Sequence, residues 1–265
     1  MVMDWKRLPA YFLPPPEFYR IAPAALLRPQ RSVPMLYESG KLSLDDMIQL
    51  KHSTHEEAAD RLLGDLLKAA ETFGSARAKE AAAELKAWDR NTEAGSRGAV
   101  LFPRWFAQMQ ANPFARMWEE GAPHDTPAGL KDPEAALKAL EAAADEVTKQ
   151  YGALDVAWGD ANRFHIGNVD LPANGGSGTL GIFRVIQFAR QENGKAYANA
   201  GDSFVAAVEF SNPLKARALL SYGNSSEPDS KHHGDQLELL SRKELRPVWR
   251  TRSEIEKNLE RRELP

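Results

Sequence analysis

The apolar residues over positions 43–70 recur at the three- and four-residue spacing of an amphipathic helix. This spacing predicts one helix over that range, and Ser43 followed by Asp46 has the separation of a capping box at its start. Further helices are predicted at about 76–88, 97–112 and 132–150. The last begins with Asp132 and Pro133, which favour an N-cap and a first helical turn, and its alanine content also favours helix. The first half of the chain is therefore predicted to be helical.

The pattern changes after Tyr151. Turn residues precede short runs rich in valine, isoleucine and phenylalanine, which are typical of strands. Strands are predicted at 181–188, 203–210 and 216–222. The tripeptide at 192–194, Glu-Asn-Gly, predicts a hairpin turn after the first of them.

Two helices are predicted to close the chain. The first covers about 235–245 with Asp235 as its N-cap, and the second covers about 252–261. Thr251 and Glu254 form a second capping box at the start of the last helix. Helices first and strands second, without alternating βαβ units, predict an α+β fold.

The first 35 residues combine many prolines with aromatic residues. Proline lacks the N–H that a helix interior needs, so this stretch is predicted to be an extended arm rather than a long helix. The chain thus divides into a proline-rich arm over 1–42, a mainly helical part over 43–150, and a part with strands and closing helices over 151–265.

Composition excludes several classes of protein. The 265 residues carry a net charge of −3, which argues against a nucleic-acid or membrane-surface partner. The absence of cysteine excludes thiol nucleophiles, disulfide frameworks and zinc ribbons. No run approaches the roughly 18 apolar residues of a membrane span. The apolar segment at 11–18 is short and broken by prolines, so no signal peptide is predicted in this chain.

The glycine-rich run at 175–181, GGSGTLG, invites comparison with phosphate-binding loops. A P-loop needs a lysine directly after its second glycine, whereas the first lysine that follows this run is Lys195. A dinucleotide-binding loop is followed by a helix, whereas a strand is predicted after this run. A structural turn is therefore the favoured interpretation, and no cofactor is predicted.

Histidines and carboxylates provide two weak candidates for a metal site. His232, His233, Asp235 and Glu238 lie close together in sequence, but two adjacent histidines point in different directions in any regular element. His52 and His55 lack the spacing of the HExxH motif. No metal is therefore predicted. His165, beside Arg163 and Asp160, has no serine in the context that a catalytic triad requires.

Segments along nearly the whole chain resemble one enzyme family. They are LSLDDMIQLKHSTHEEAADRLLGDLL at 42–67, LKAWDRNTEAGSRGAVLFPRWF at 85–106, LDVAWGDANRF at 154–164, DLPANGGSGTLGIFR at 170–184, SFVAAVEFSNP at 203–213 and SYGNSSEPDSKHHGDQLELLSRKELRPVW at 221–249. In this order they resemble the C-terminal part of the β chain of penicillin amidases and acyl-homoserine-lactone acylases, which are N-terminal-nucleophile hydrolases. The resemblance implies a partial αββα sandwich. It also implies an amidohydrolase in which a new N-terminal serine attacks the acyl carbonyl and its own α-amine acts as general base.

The resemblance also implies that the nucleophile lies outside this chain, which opens with Met1-Val2-Met3. Maturation in the family occurs at a Gly-Ser junction followed by Asn, and none of the pairs Gly74-Ser75, Gly95-Ser96 and Gly176-Ser177 has that context. The segment at 25–38 resembles the one that bears the family's active-site arginine. Arg28 matches best and Arg31 is the alternative; a surface arginine in a proline-rich arm is the simpler interpretation. Glu17 lies near a calcium-binding position of some members, but one carboxylate does not make a calcium site.

The expected function is amide hydrolysis by a complete acylase acting on acyl-homoserine lactones, β-lactams or lipopeptides. The remaining α and β segments of the acylase would be its partners, and an exported upstream part would place it in the periplasm or outside the cell. The alternative is a catalytically inactive structural or partner-binding module derived from such an acylase.

Overall fold

The computed structural model describes residues 27–109, 112–122 and 124–261. Most of its helices precede residue 152. The helices are α1 (Leu27–Glu38), α2 (Leu44–Lys51), α3 (Glu57–Phe73), α4 (Ala76–Ala87), α5 (Leu101–Gln108), α6 (Pro133–Tyr151), α7 (Trp158–Ala161), α8 (Leu237–Arg242) and α9 (Arg252–Lys257). Both predicted capping boxes are present, at the starts of α2 and α9. Asp132 caps α6 by accepting from the Ala135 N–H, as predicted.

Helix α6 lies at the centre of the helical half and contacts α3, α4 and α5. Its buried face carries small and medium-sized side chains such as Leu140, Ala144 and Val147. Small residues let the helix axes approach closely, and the large side chains Phe102 and Trp105 of α5 fill the remaining space. The Trp105 indole N–H donates to the Ala136 carbonyl at 3.0 Å, which satisfies the polar atom that this packing buries.

The strands form three small sheets. They are β1 (Phe114–Arg116), β2 (Ala128–Leu130), β3 (Asn162–Ile166), β4 (Val169–Pro172), β5 (Ile186–Arg190), β6 (Ala196–Gly201), β7 (Phe204–Glu209), β8 (Lys215–Leu220) and β9 (Arg246–Pro247). The sheet orders are β1-β2, β4-β3-β6-β5 and β7-β8-β9, and every pair is antiparallel except β3 with β6. The predicted hairpin joins β5 to β6, with Gly194 in the left-handed conformation that the turn requires. The α+β class, with a helical first half and a sheet-containing second half, is confirmed.

The helix predicted over 43–70 is interrupted. Helix α2 ends at Lys51, and α3 begins only at Glu57. The backbone between them leaves the helical path to pair with distant segments: the Arg184 N–H donates to the Ser53 carbonyl at 3.0 Å, and the Glu56 N–H donates to the Arg90 carbonyl at 2.9 Å. Tertiary hydrogen bonds thus override the local helical preference.

The extended arm predicted over the first 35 residues is wrong where the structure describes it, because α1 covers Leu27–Glu38. Pro29 lies in the first turn, where the missing N–H has no intrahelical role. Pro34 costs one hydrogen bond inside the helix, and burial of Leu27 and Met35 compensates. Residues 1–26, including Glu17, lie outside the described part.

Two further boundaries differ from the prediction. Asp235 is not a helix cap, because α8 begins at Leu237 with Gln236 at the N-cap. The strand predicted at 181–188 begins only at Ile186, since Gly181 adopts a left-handed conformation that ends a short 3₁₀ turn. Strands β3, β4 and β6 were not predicted, because they contain too few β-branched residues to give a strand signal.

One face of the β7–β8 hairpin is apolar, and its β7 side chains are exposed to solvent. The pairing sets Phe204, Ala206 and Val208 opposite Leu220, Ala218 and Ala216 on the same side. Phe204 is 63% exposed, Val208 44%, and Phe210, just beyond the strand, 90%. The opposite face buries Val205 and Leu219 in the second core cluster. A sheet that is apolar on both faces is typical of the interior of a larger assembly.

We expect the isolated chain to bind a hydrophobic dye such as anilinonaphthalene sulfonate and to associate as its concentration rises, because this face is exposed. Replacing Phe204 and Val208 together by serine should reduce dye fluorescence several-fold. Phe73→Ser is the matched control, since Phe73 is a similarly exposed aromatic residue in the helical half. A monodisperse chain that binds no dye would contradict this prediction.

Candidate active site

Arg28 lies on the first turn of α1 and faces Phe183, which is distant in sequence. Its Nε and Nη2 atoms each donate to the Phe183 carbonyl oxygen at 3.2 Å. Its guanidinium carbon lies 4.8 Å from the centroid of the Phe183 ring. The half-buried guanidinium is thus bonded at its edge to the Phe183 carbonyl and lies over the Phe183 ring. This arrangement leaves both N–H groups of Nη1 and the second N–H group of Nη2 for further acceptors.

Lys51 is a second cation beside the same ring. Its Nζ lies 5.6 Å from the centroid of the Phe183 ring and 2.5 Å from Asp202 Oδ2. Burial lowers the pKa of Lys51, and Asp202 opposes that shift. Arg28 and Lys51 therefore flank one aromatic side chain, with one carboxylate neutralising part of their charge.

Two buried groups, Arg184 and His52, follow Phe183 and Lys51 in the chain. Arg184 is fully buried and donates from Nη2 to the Leu240 carbonyl at 2.6 Å, while its Nε and Nη1 have no hydrogen-bond partner among the described residues. Burial lowers its pKa to about 10, so it stays charged at neutral pH. Burial and the nearby charge of Arg184 lower the pKa of His52 to about 3. His52 is therefore neutral, and the buried charge near it is that of Arg184.

Arg31, the alternative to Arg28, has different neighbours. Its Nε is buried without a hydrogen-bond partner in the described part of the chain. Its charge lies near Glu57. Burial raises the pKa of Glu57, and the positive charges of Arg61 and, more weakly, of Arg31 oppose that rise. Arg61 bonds Glu57 at 2.9 Å and so already neutralises it. The two arginines of α1 thus belong to separate clusters.

Of the four candidate metal residues at 232–238, only His232 and Asp235 are in contact with each other. His232 donates from Nδ1 to Asp235 Oδ2 at 2.7 Å and from Nε2 to Glu260 Oε2 at 2.8 Å, and these bonds raise its pKa. His233 contacts the Ser225 carbonyl instead, and Glu238 pairs with Arg242. The described residues contain no group of three histidines or carboxylates placed to hold a metal ion.

The other sequence candidates also have local roles. His55 pairs with Asp60 at 2.7 Å, away from the buried His52. His165 stacks on Tyr197, with their ring centroids 4.4 Å apart. These contacts bring together neither a triad nor a pair of metal ligands.

The sequence model of the penicillin amidase family matches residues 11–257, a range that includes Arg28 and both halves of the fold. This chain belongs to the penicillin amidase family.

Curated relatives give the same assignment. The chain is 34% identical to the acyl-homoserine lactone acylase PvdQ of Pseudomonas syringae pv. tomato over 222 residues, which is 78% of this chain and 28% of that protein. It is 32% identical over 181 residues to the aculeacin-A acylase of Actinoplanes utahensis, which is 64% of this chain and 22% of that one. Thermostable penicillin G acylase from Alcaligenes faecalis superposes with a TM-score of 0.46 at 16% identity, covering 88% of this chain and 52% of that one.

The chain therefore spans a little over a quarter of the length of the PvdQ relatives that it matches. Within the described residues, no helix is long and apolar enough to cross a membrane.

Sequence reasoning missed Glu56 in this penicillin amidase chain. Its carboxylate is fully buried, and neither oxygen has a hydrogen-bond partner among the described residues. Burial raises the pKa of Glu56 well above its usual range. No pattern in the sequence identifies it, because a glutamate inside a predicted amphipathic helix is ordinarily exposed.

The glycine-rich run has a structural role. Residues Gly178–Leu180 form a 3₁₀ turn that Gly181 ends with a φ of +82°. A Cβ on Gly181 would come within 2.5 Å of Glu57 Cβ and 2.9 Å of Leu27 Cβ, so glycine lets α1 and α3 approach this turn. This supports the structural turn over a phosphate-binding loop.

We expect Gly181→Ala to lower the free energy of unfolding by about 3 kcal/mol, because left-handed strain and overpacking add. Gly194→Ala is the matched control. It has the same φ of +82° but no atom within 4 Å of the added Cβ, so it should cost only about 1 kcal/mol. Urea unfolding at low protein concentration measures both. Equal losses would show that the contacts with Leu27 and Glu57 do not constrain this position.

Proposed function

We propose that this chain is the C-terminal portion of an N-terminal-nucleophile acylase that hydrolyses a linear amide bond. The nucleophilic serine lies outside the chain. The match of the family over residues 11–257, together with the 28% share of the PvdQ relative that the chain covers, is the observation that carries this proposal.

The serines that follow glycine in this chain have local structural roles, which supports a nucleophile elsewhere. Ser75 caps α4 by accepting from the Ala78 N–H at 3.1 Å. Ser96 is buried and bonds Asp89. Ser177 caps the 3₁₀ turn by accepting from the Thr179 N–H. If the chain were cut before any of these serines to make it a new N-terminus, the serine would lose the hydrogen bonds that stabilise the local structure around it.

In this proposal, the N-terminal serine attacks the acyl carbonyl while its α-amine takes the proton, and an amide side chain with backbone N–H groups stabilises the oxyanion. Arg28 has the positioning role. A guanidinium is planar and permanently charged, so one fixed by Phe183 can hold a neighbouring amide or carbonyl in a single orientation.

The substrate class follows from the relatives, which are acylases of acyl-homoserine lactone and of aculeacin A. We propose an acyl-homoserine lactone, a β-lactam or a lipopeptide as the type of substrate. The remaining segments of the acylase are the proposed partners, and the apolar face of β7–β8 provides a surface for them. A periplasmic or extracellular location would follow from an exported upstream part.

The isolated 265-residue chain should hydrolyse no amide. A serine without its activating amine is a poor nucleophile. An oxyanion hole that lacks one donor loses rate on the order of 10²–10³-fold. The purified chain is incubated with acyl-homoserine lactones and phenylacetyl amides, and released amine is measured. Turnover that an internal serine substitution abolishes would overturn the proposal that the nucleophile lies outside the chain.

In an acylase reconstituted by co-expressing this chain with the upstream segment, Arg28→Leu should lower kcat on the order of 100-fold, because a misaligned reacting group costs about that much. The melting temperature should change little, since Arg28 is only half-buried. Arg31→Leu is the matched control on the same helix and should keep a near-normal kcat.

The opposite pattern, with a loss at Arg31 and none at Arg28, would shift the active-site assignment by one helical turn. No loss in either variant would show that neither arginine supports catalysis, and would favour the inactive structural module.

A further inference from the structure

We propose that Phe183 is a positioning residue that sets the orientation of Arg28 for catalysis. This inference rests on the proposed role of Arg28. It goes further by assigning a function to an aromatic residue that no sequence pattern singles out and by stating how the fold holds that residue in place.

Phe183 restrains Arg28 in two independent ways. Its carbonyl oxygen accepts from both Nε and Nη2 at 3.2 Å, which fixes the edge of the guanidinium. Its ring lies 4.8 Å from the guanidinium carbon, within the distance of cation–π attraction, which opposes movement of the guanidinium away from the ring. The hydrogen bonds alone would allow the plane to tilt about the bonded edge. The ring therefore restricts where the remaining N–H groups, two on Nη1 and one on Nη2, point.

The backbone that carries Phe183 is tied along its length. We call residues 183–186 the strap. The Arg184 N–H donates to Ser53, and the Arg184 carbonyl accepts from Gly176 at 3.2 Å. The Val185 carbonyl accepts from Asp202 at 2.9 Å, and the Ile186 N–H donates to the Gly176 carbonyl at 3.0 Å. Because three separate segments hold successive peptide groups, the Phe183 carbonyl cannot shift alone.

The side chain of Arg184 anchors the strap from behind. Its buried guanidinium donates to the Leu240 carbonyl on α8 at 2.6 Å. A buried charge with one hydrogen bond is costly compared with an apolar side chain of similar volume. Its bond to α8 fixes the position of the residue that directly follows Phe183.

Phe183 itself contributes little to the cores. It is half-buried and belongs to neither hydrophobic cluster. It borders a groove of about 430 Å³ between α1, α2 and β7, so a smaller side chain would leave open space rather than a buried cavity. A substitution here should therefore affect Arg28 more than folding.

The test uses the reconstituted acylase. Phe183→Leu should lower kcat about tenfold, with KM and the melting temperature nearly unchanged, because only the alignment of Arg28 is relaxed. Phe183→Tyr keeps the ring and should restore most of kcat. Phe188→Leu is the control, since Phe188 is a half-buried aromatic residue that packs on Trp158 instead. In the Arg28→Leu background, Phe183→Leu should have no further effect on kcat.

The outcomes separate this inference from the proposal beneath it. If Arg28→Leu keeps a normal kcat, the role of Arg28 is wrong, and the positioning role of Phe183 is wrong with it. If Arg28→Leu loses kcat but Phe183→Leu does not, or if the two losses multiply in the double variant, the positioning inference is overturned while the role of Arg28 stands.

Discussion

The extended backbone at residues 53–56 is the connection on which the rest of the structure depends. It lies between α2 and α3 and pairs on one side with residues 90–92 and on the other with Arg184. It therefore joins the helical half to the strap of the sheet-containing half. Without these hydrogen bonds, α2 and α3 could continue as one helix, and Lys51 would lose its position beside Phe183.

This connection is unusual because its buried residues are polar. His52, Thr54 and Glu56 are all buried, at the alternate positions expected of an extended segment. Thr54 is satisfied by Glu93, to which its hydroxyl donates at 2.6 Å. Glu56 has no such partner among the described residues. Burying unpaired polar groups costs stability, so this segment is held by its backbone pairing and by the apolar core that surrounds it.

Around Arg28, too, costly buried groups are held in place by the backbone pairing and packing that surround them. The strap buries a guanidinium at Arg184 and holds an aromatic ring at the edge of a groove, and neither feature adds apolar core. Proteins tolerate such arrangements where a side chain must be held in one orientation. The helical half is different: alanine and leucine side chains fill its core, and every polar atom that α5 buries against α6 is bonded. The larger apolar cluster is thus built mainly by the helical half, while the buried charge of Arg184 lies beside the candidate site.

The sequence by itself determined the elements whose signals are local. Helix α6, both capping boxes, the hairpin at 192–194 and strands β7 and β8 follow from spacing, caps and turn residues that act within a few positions. The family could also be identified, because the order of its segments is a property of the sequence. Only the tertiary structure decided that the helix at 43–70 breaks, that α1 forms despite its prolines, and that Arg28 meets Phe183. Each of these depends on contacts between residues more than thirty positions apart in the sequence. Hydrogen bonds and burial between such distant residues produce no local pattern of apolar and polar positions from which they could be predicted.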